Sequence, residues 1–119
     1  MKAAPVFLSM VVLGSAALAG GGLPEKTSAW YRCEDGTRVQ ATYHNPPSRE
    51  SFVNLRWKNK SVQLPLAISG SGSRYSDGKL EWWVAGNAST GWKEVGMLHR
   101  LNSRTGQMDV VIYQECKLL

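Results

Sequence analysis

Apolar and polar residues alternate along much of the chain after residue 28, as they do in β-strands that are buried on one face. The alternation is clearest in residues 28–34 and in residues 37–44. Asp35 and Gly36, which separate these two segments, form a dipeptide that is typical of tight hairpin turns. The two segments therefore predict a β-hairpin.

Further segments continue this pattern, and turn-forming residues recur between them about every eight to twelve positions. The segments are residues 51–57, residues 61–66, a short piece at Tyr75, and residues 79–85, 91–101 and 105–116. Almost nothing has helical periodicity, so the pattern predicts an all-β fold, either a sandwich or a small antiparallel β-barrel of about eight strands.

Five tryptophans are many for so short a chain. Trp30, Trp57 and Trp82 occupy positions that we expect inside the barrel or in its wall. Trp83 and Trp92 have the opposite parity or lie beside a loop, which makes them candidates for an exposed contact surface.

The first 19 residues have the features of a signal peptide. Lys2 supplies a positive start, residues 5–18 are apolar, and Ala17-Leu18-Ala19 matches the pattern that a signal peptidase cleaves. The apolar run is too short to predict a membrane span. No cysteine follows it, so no lipid anchor is expected, and we predict a periplasmic or secreted protein.

The rest of the chain divides into a flexible leader, residues 20–28, and one small domain, residues 29–119. The net charge of +5 falls to +4 once Lys2 is removed with the signal peptide. The densest basic group, Arg56, Lys58 and Lys60, is typical of a solvated hairpin tip, so no nucleic-acid partner is expected.

Cys33 and Cys116 are the two cysteines of the chain. In an oxidising compartment they allow one disulfide, which would close a loop of some eighty residues and stabilise the fold by about 4.5 kcal/mol. A metal site or a reactive thiol is the alternative, but there is no second Cys/His pair at ligand spacing. We therefore predict no metal and no cofactor.

Catalysis is not expected. The chain has no Gly-x-Ser-x-Gly motif, and its carboxylates near the loops, Asp77, Glu81 and Glu94, lack the paired spacing of acid–base catalysts. His44 and His99 lie at the end of a strand and within one, where a structural role is expected.

Residues 69–73 are serine and glycine alone and interrupt the strand pattern. Such a segment is either a plain flexible loop or a presentation device that carries backbone groups and hydroxyls into another molecule's cleft. The run from Ser69 to Gly78, followed by Trp82, Trp83 and Gly86, resembles the signature of the bacterial inhibitors of c-type lysozyme, which are membrane-bound or periplasmic. Its core is Ser-x-Ser-Gly-x-x-Tyr.

The resemblance extends to Tyr31 and Cys33, to Leu64-Pro65 and to Cys116, and so covers most of the chain after the leader. It implies an eight-stranded antiparallel barrel, closed here by the one disulfide. It also implies that the partner is a c-type lysozyme and that the protein protects the bacterial cell wall against host defence. Monomer and homodimer both remain open.

The resemblance also implies that the loop from Ser69 to Tyr75 enters the glycosidase cleft, and that Ser71, helped by backbone N–H groups of Gly72 and Ser73, donates to a catalytic carboxylate. Tyr75 either supports the loop, stacks on the cleft wall or is a plain core residue. The predicted lysozyme-binding residues are Ser69, Gly70, Ser71, Gly72, Ser73, Arg74, Tyr75, Asn87 and Thr90.

The chain departs from the family pattern at one point. A lysine is usual in the motif Lys-Gly-x-x-Ala, where this chain has Ala85 before Gly86. Arg74, Lys79 and Lys93 are the candidates to replace its charge. The alternative function is a barrel that binds a small ligand or a cell-wall glycan through Trp83 and Trp92.

Overall fold

The computed structural model describes residues 25–86 and 93–119, and this part of the chain forms eight β-strands. In chain order they are β1 (Lys26–Cys33), β2 (Arg38–His44), β3 (Phe52–Trp57), β4 (Lys60–Ala67), β5 (Ser73–Ser76), β6 (Leu80–Gly86), β7 (Glu94–Asn102) and β8 (Gln107–Leu118). Each strand pairs antiparallel with the next, and β8 returns to β1, which closes the barrel. The predicted all-β, eight-stranded antiparallel barrel is confirmed.

The seam between the first and last strands is held by the disulfide. Cys33 of β1 lies directly opposite Cys116 of β8, and the two are bonded. Because 83 positions separate them in the chain, the bond stabilises the fold by about 4.5 kcal/mol in the chain-entropy model. The strand β1 starts at Lys26, within the segment that the sequence predicted as a leader.

The interior is filled by alternate residues of every strand, as the period of two requires. Trp57 and Trp82 are buried in it, as predicted, whereas the prediction for Trp30 was wrong, because its side chain is 47% exposed. Tyr31 takes the inward position on β1, so its neighbour Trp30 must point outward.

Gly96 is the point at which the largest core side chain meets the opposite wall. A Cβ atom at this position would lie 2.2 Å from the ring of Trp82. Trp82 pairs with Leu98, so Gly96 and Leu98 are the inward residues of β7. The alternation of Met97 and His99 in the sequence therefore belongs to the outer face of that strand.

The connections between strands fall into two groups, because the strands run alternately in opposite directions. One end of the barrel, which we call the loop end, carries the β2–β3 and β4–β5 connections, the end of β6 and the start of β7. The β1–β2, β3–β4, β5–β6 and β7–β8 turns lie at the other, which we call the turn end. Within the described residues no helix is long and apolar enough to cross a membrane.

Candidate functional site

Residues 68–72 connect β4 to β5 at the loop end, and this loop is held by its own polar groups. The backbone N–H of Ser71 donates to Ser69 Oγ at 3.1 Å, and the Ser69 hydroxyl donates to the carbonyl oxygen of Ser71. The indole N–H of Trp83 donates to the same carbonyl at 2.8 Å. The serine-rich segment is therefore a fixed turn anchored to β6.

Gly72 brings this turn against the barrel wall. Its φ of 67° lies in the left-handed region, and a Cβ atom here would lie 2.3 Å from the carbonyl oxygen of Val84 and 2.8 Å from Cβ of Ala85. The position needs glycine both for its backbone conformation and for its close approach to β6.

Arg74 supports the loop from the outer face of the barrel. Its Nε donates to the carbonyl oxygen of Ile68 at 3.2 Å, and its NH1 lies 3.4 Å from Oε1 of Glu81. Nδ1 of His99 lies 3.8 Å from the other oxygen of Glu81. The guanidinium therefore binds the base of the loop and Glu81, which argues against Arg74 as the substitute for the missing family lysine.

Tyr75 supports the loop from the inside. It lies directly opposite Trp82 on the neighbouring strand, so both side chains point into the barrel. Only 6% of Tyr75 is exposed. Burial raises the pKa of Tyr75, and a hydrogen bond joins its side chain to that of Ser73 at the start of β5. Tyr75 is therefore a core residue of the barrel.

Behind Tyr75, a chain of hydrogen bonds crosses the interior of the loop end. Trp82 Nε1 donates to the hydroxyl of Tyr43 at 3.0 Å, and the Tyr43 and Tyr31 hydroxyls lie 2.7 Å apart. Tyr31 donates to Oε2 of Glu94, so Tyr43 must donate to Tyr31. Burial, together with the nearby Tyr43 and Glu94, raises the pKa of Tyr31, and burial likewise raises the pKa of Tyr43.

This network was not predicted, although Glu94 was noted as a carboxylate near a loop. Glu94 begins β7 two positions before the inward-facing Gly96, so a correct register would have placed its side chain inside the barrel. It joins the start of β7 to β1, whose Tyr31 lies 63 positions earlier in the chain.

The exposed side chains of residues 69–73 are small and uncharged. Gly70, Ser71, Gly72 and Ser73 are exposed and Ser69 is half-buried, so the structure brings these five predicted site residues together. Among the described residues, no hydrogen bond engages the hydroxyl of Ser71. Asn87 and Thr90 lie outside the described residues.

The three candidate replacement cations are now separated by position. Lys79 belongs to the β5–β6 turn at the opposite end of the barrel, so it does not lie beside the loop. Lys93 immediately precedes β7 at the loop end and is exposed.

Of the two tryptophans that the sequence suggested as an exposed contact surface, Trp83 is half-buried under the loop, and Trp92 lies outside the described residues. No group of three His, Cys, Asp or Glu side chains suited to a metal occurs in residues 25–86 and 93–119.

Comparison with known proteins gives the same assignment as the motif. Three proteins named membrane-bound lysozyme inhibitor of C-type lysozyme are similar to this chain. The one from Cupriavidus necator is 32% identical over 60% of this chain and 56% of its own length. The one from Pseudomonas aeruginosa is 30% identical over 62% and 58%, and the one from Escherichia coli is 33% identical over 53% and 54%.

The matched part of the chain thus spans little more than half the length of these relatives. The family model described as membrane-bound lysozyme-inhibitor of c-type lysozyme matches residues 31–94, which run from β1 to the start of β7 and include the whole of the loop. Because this match covers more than half of the chain, the chain belongs to that family of lysozyme inhibitors.

Proposed function

We propose that this chain inhibits a c-type lysozyme by inserting the loop of residues 68–72, together with Ser73, into the active-site cleft. The observation that carries the proposal is the exposed Ser71 hydroxyl on a turn whose backbone is pinned by Ser69 and Trp83. Membership of a family of inhibitors agrees with the prediction that the chain is not an enzyme.

The chemistry of the cleft explains why such a loop is suitable. A retaining glycosidase holds two carboxyl groups, one protonated and one ionised, at the bottom of a narrow cleft. Serine and glycine side chains are small enough to enter, and Ser71 Oγ is a donor for the ionised carboxylate. Because the turn is already ordered, little conformational entropy is lost when the complex forms.

Lys93 is the candidate for the charge that Ala85 does not supply. It is exposed at the loop end, immediately before β7, whereas Lys79 lies at the turn end. A charge-assisted hydrogen bond contributes roughly 1.5–3 kcal/mol, so Lys93→Gln is expected to weaken inhibition about tenfold or more. Unchanged inhibition would show that neutral groups suffice.

The test is inhibition of cell-wall lysis by a c-type lysozyme, followed as turbidity, with the purified protein. Ser71→Trp is expected to abolish inhibition because the large ring cannot enter the cleft with the loop. Ser103→Trp, an equally exposed serine in the β7–β8 turn at the other end of the barrel, is the matched control. Equal inhibition by the two folded variants would refute loop insertion.

We also propose that the protein works outside the cytoplasm. The disulfide between Cys33 and Cys116 supports this, because such bonds persist in oxidising compartments. The predicted signal peptide of residues 1–19 supports it further. Fractionation of cells that express the full chain, with N-terminal sequencing of the exported form, tests both statements.

A further inference from the structure

A concave surface lies at the turn end, away from the loop. It has a volume of about 770 Å³, which lies within the usual range for small-molecule sites. Its apolar lining comes from five strands and consists of Trp57, Val62, Leu80, Leu101 and Ile112. Nothing in the inhibition proposed above uses this surface.

The floor of this hollow is closed by the barrel core. Trp57 is buried, and Val62, Leu80 and Ile112 are partly buried residues that pack against the core cluster. Deeper in the barrel, Leu55, Trp82 and Leu98 are fully buried. An apolar group that enters from the turn end would therefore rest on these side chains and would not pass through the barrel.

The rim of the hollow is basic. Lys60, Lys79 and Arg100 line it, and none of the described acidic residues does. Nζ of Lys60 lies 5.9 Å from the centre of the Trp57 ring, which holds this ammonium over the apolar floor. The ion pairs formed among the described residues involve Arg74, His99 and Glu81, so they do not neutralise these three cations.

The nearest acidic residue in sequence is turned toward the backbone. Asp77 Oδ1 accepts the N–H groups of Lys79 and Leu80 at 2.8 Å each, which fixes the β5–β6 turn. Partial burial raises the pKa of Asp77, but these hydrogen bonds and the charge of Lys79 outweigh it and lower the pKa below its usual value. The carboxylate therefore offsets part of the Lys79 charge, while Lys60 and Arg100 keep theirs.

We propose that the turn end binds a single-chain anionic amphiphile, namely a fatty-acid carboxylate. The alkyl chain would cover the apolar floor, and burial of each methylene favours the complex. The carboxylate would meet Arg100 and Lys60 at the rim, where a guanidinium can donate to both of its oxygens. This site is independent of the loop, so its failure would leave the proposed inhibition untouched.

Binding is measured by calorimetric titration of the full chain with decanoate below its micelle concentration. We expect one saturable site. The double variant Lys60→Gln/Arg100→Gln should bind decanoate at least tenfold more weakly. Arg32→Gln/Lys117→Gln, which removes two exposed charges from paired positions on β1 and β8, should bind like the parent.

A second measurement locates the ligand. In two-dimensional NMR spectra the indole N–H of Trp57 should shift on titration with decanoate, while the amides of residues 69–72 should not. Equal weakening by both double variants, equally tight binding of uncharged 1-decanol, or no saturable binding would each overturn the proposal. Unaltered lysozyme inhibition in the presence of decanoate is expected, because the two sites lie at opposite ends.

Discussion

The two ends of the barrel interior differ in chemistry. At the loop end, Trp82, Tyr43, Tyr31 and Glu94 form one line of hydrogen bonds across the interior. At the turn end, the interior stops at apolar side chains beneath a rim of cations. Buried polar groups tolerate few geometries, because each donor and acceptor must be satisfied, whereas apolar contacts are not directional.

This difference fits the roles proposed above for the two ends. The loop end must hold residues 68–72 in one shape, and it does so through the Ser71 carbonyl, Gly72 and the inward ring of Tyr75. The turn end carries short turns with no such demand, and a hollow of about 770 Å³ remains there. The same fold thus has a fixed loop at one end and an apolar hollow with a basic rim at the other.

The sharpest way to test this contrast is a set of glycine-to-alanine variants. Gly72→Ala should lower the free energy of unfolding by about 3 kcal/mol, because it combines a left-handed φ with a Cβ placed 2.3 Å from the Val84 carbonyl oxygen. Gly78→Ala at the turn end has a φ of 86° but open space, so about 1 kcal/mol is expected.

Gly70→Ala is the matched control within the same loop. A methyl group at this position would meet no atom of the described residues within 4 Å, and the backbone has no positive φ, so the free energy of unfolding should change by less than about 0.5 kcal/mol. Denaturant titration of the three variants gives the order directly. If Gly72→Ala were no worse than Gly78→Ala, the loop would not be held against β6.

A second prediction compares polar and apolar contacts at the two ends. Tyr31→Phe removes one oxygen atom, so the Tyr43 hydroxyl loses its acceptor and the Glu94 carboxylate loses a donor, which should cost about 2 kcal/mol of stability. Val62→Ala at the turn end removes two methyl groups from a partly buried site and should cost about 1 kcal/mol. The reverse order, measured by thermal or denaturant unfolding, would contradict the importance of the network.

A third prediction concerns alkaline pH. The pKa values of Tyr31 and Tyr43 are raised above the usual 10.0 in the folded chain, mainly by burial. Above pH 10 the unfolded chain therefore binds fewer protons than the folded chain, so the free energy of unfolding falls as pH rises. Each tyrosine contributes a slope of up to about 1.4 kcal/mol per pH unit, and this contribution to stability is fully present below pH 10.

The measurement is the unfolding free energy between pH 8 and pH 11. Above pH 10, the unfolding free energy of Tyr31→Phe should fall less steeply with pH than that of the parent, by the contribution of one tyrosine. Between pH 8 and pH 9 the two curves should be parallel. An identical slope in the two proteins would mean that the Tyr31 hydroxyl is not held protonated by the fold.

The strands could be predicted because most have one buried face, which leaves a period of two in the sequence. Trp30 could not be assigned in the same way, since residues 28–34 carry an aromatic side chain on both faces, Trp30 on one and Tyr31 on the other. The loop was found through its serine and glycine composition and its family motif. The Glu94–Tyr31 contact depends on pairing between distant strands, which periodicity does not report.

The last prediction concerns the hydrogen bond that joins the loop to the barrel. Trp83→Phe keeps most of the aromatic surface but removes the N–H that bonds the Ser71 carbonyl at 2.8 Å. We expect a loss of about 1 kcal/mol in unfolding free energy and lysozyme inhibition weakened about fivefold, because the loop must then be ordered on binding. Trp30→Phe, which changes an exposed tryptophan on β1, is the control for the same chemical substitution. If both variants inhibit equally well, Trp83 does not preorganise the loop; if Trp83→Phe alone is weakened while its turn-end affinity for decanoate is unchanged, the two ends of the barrel act separately.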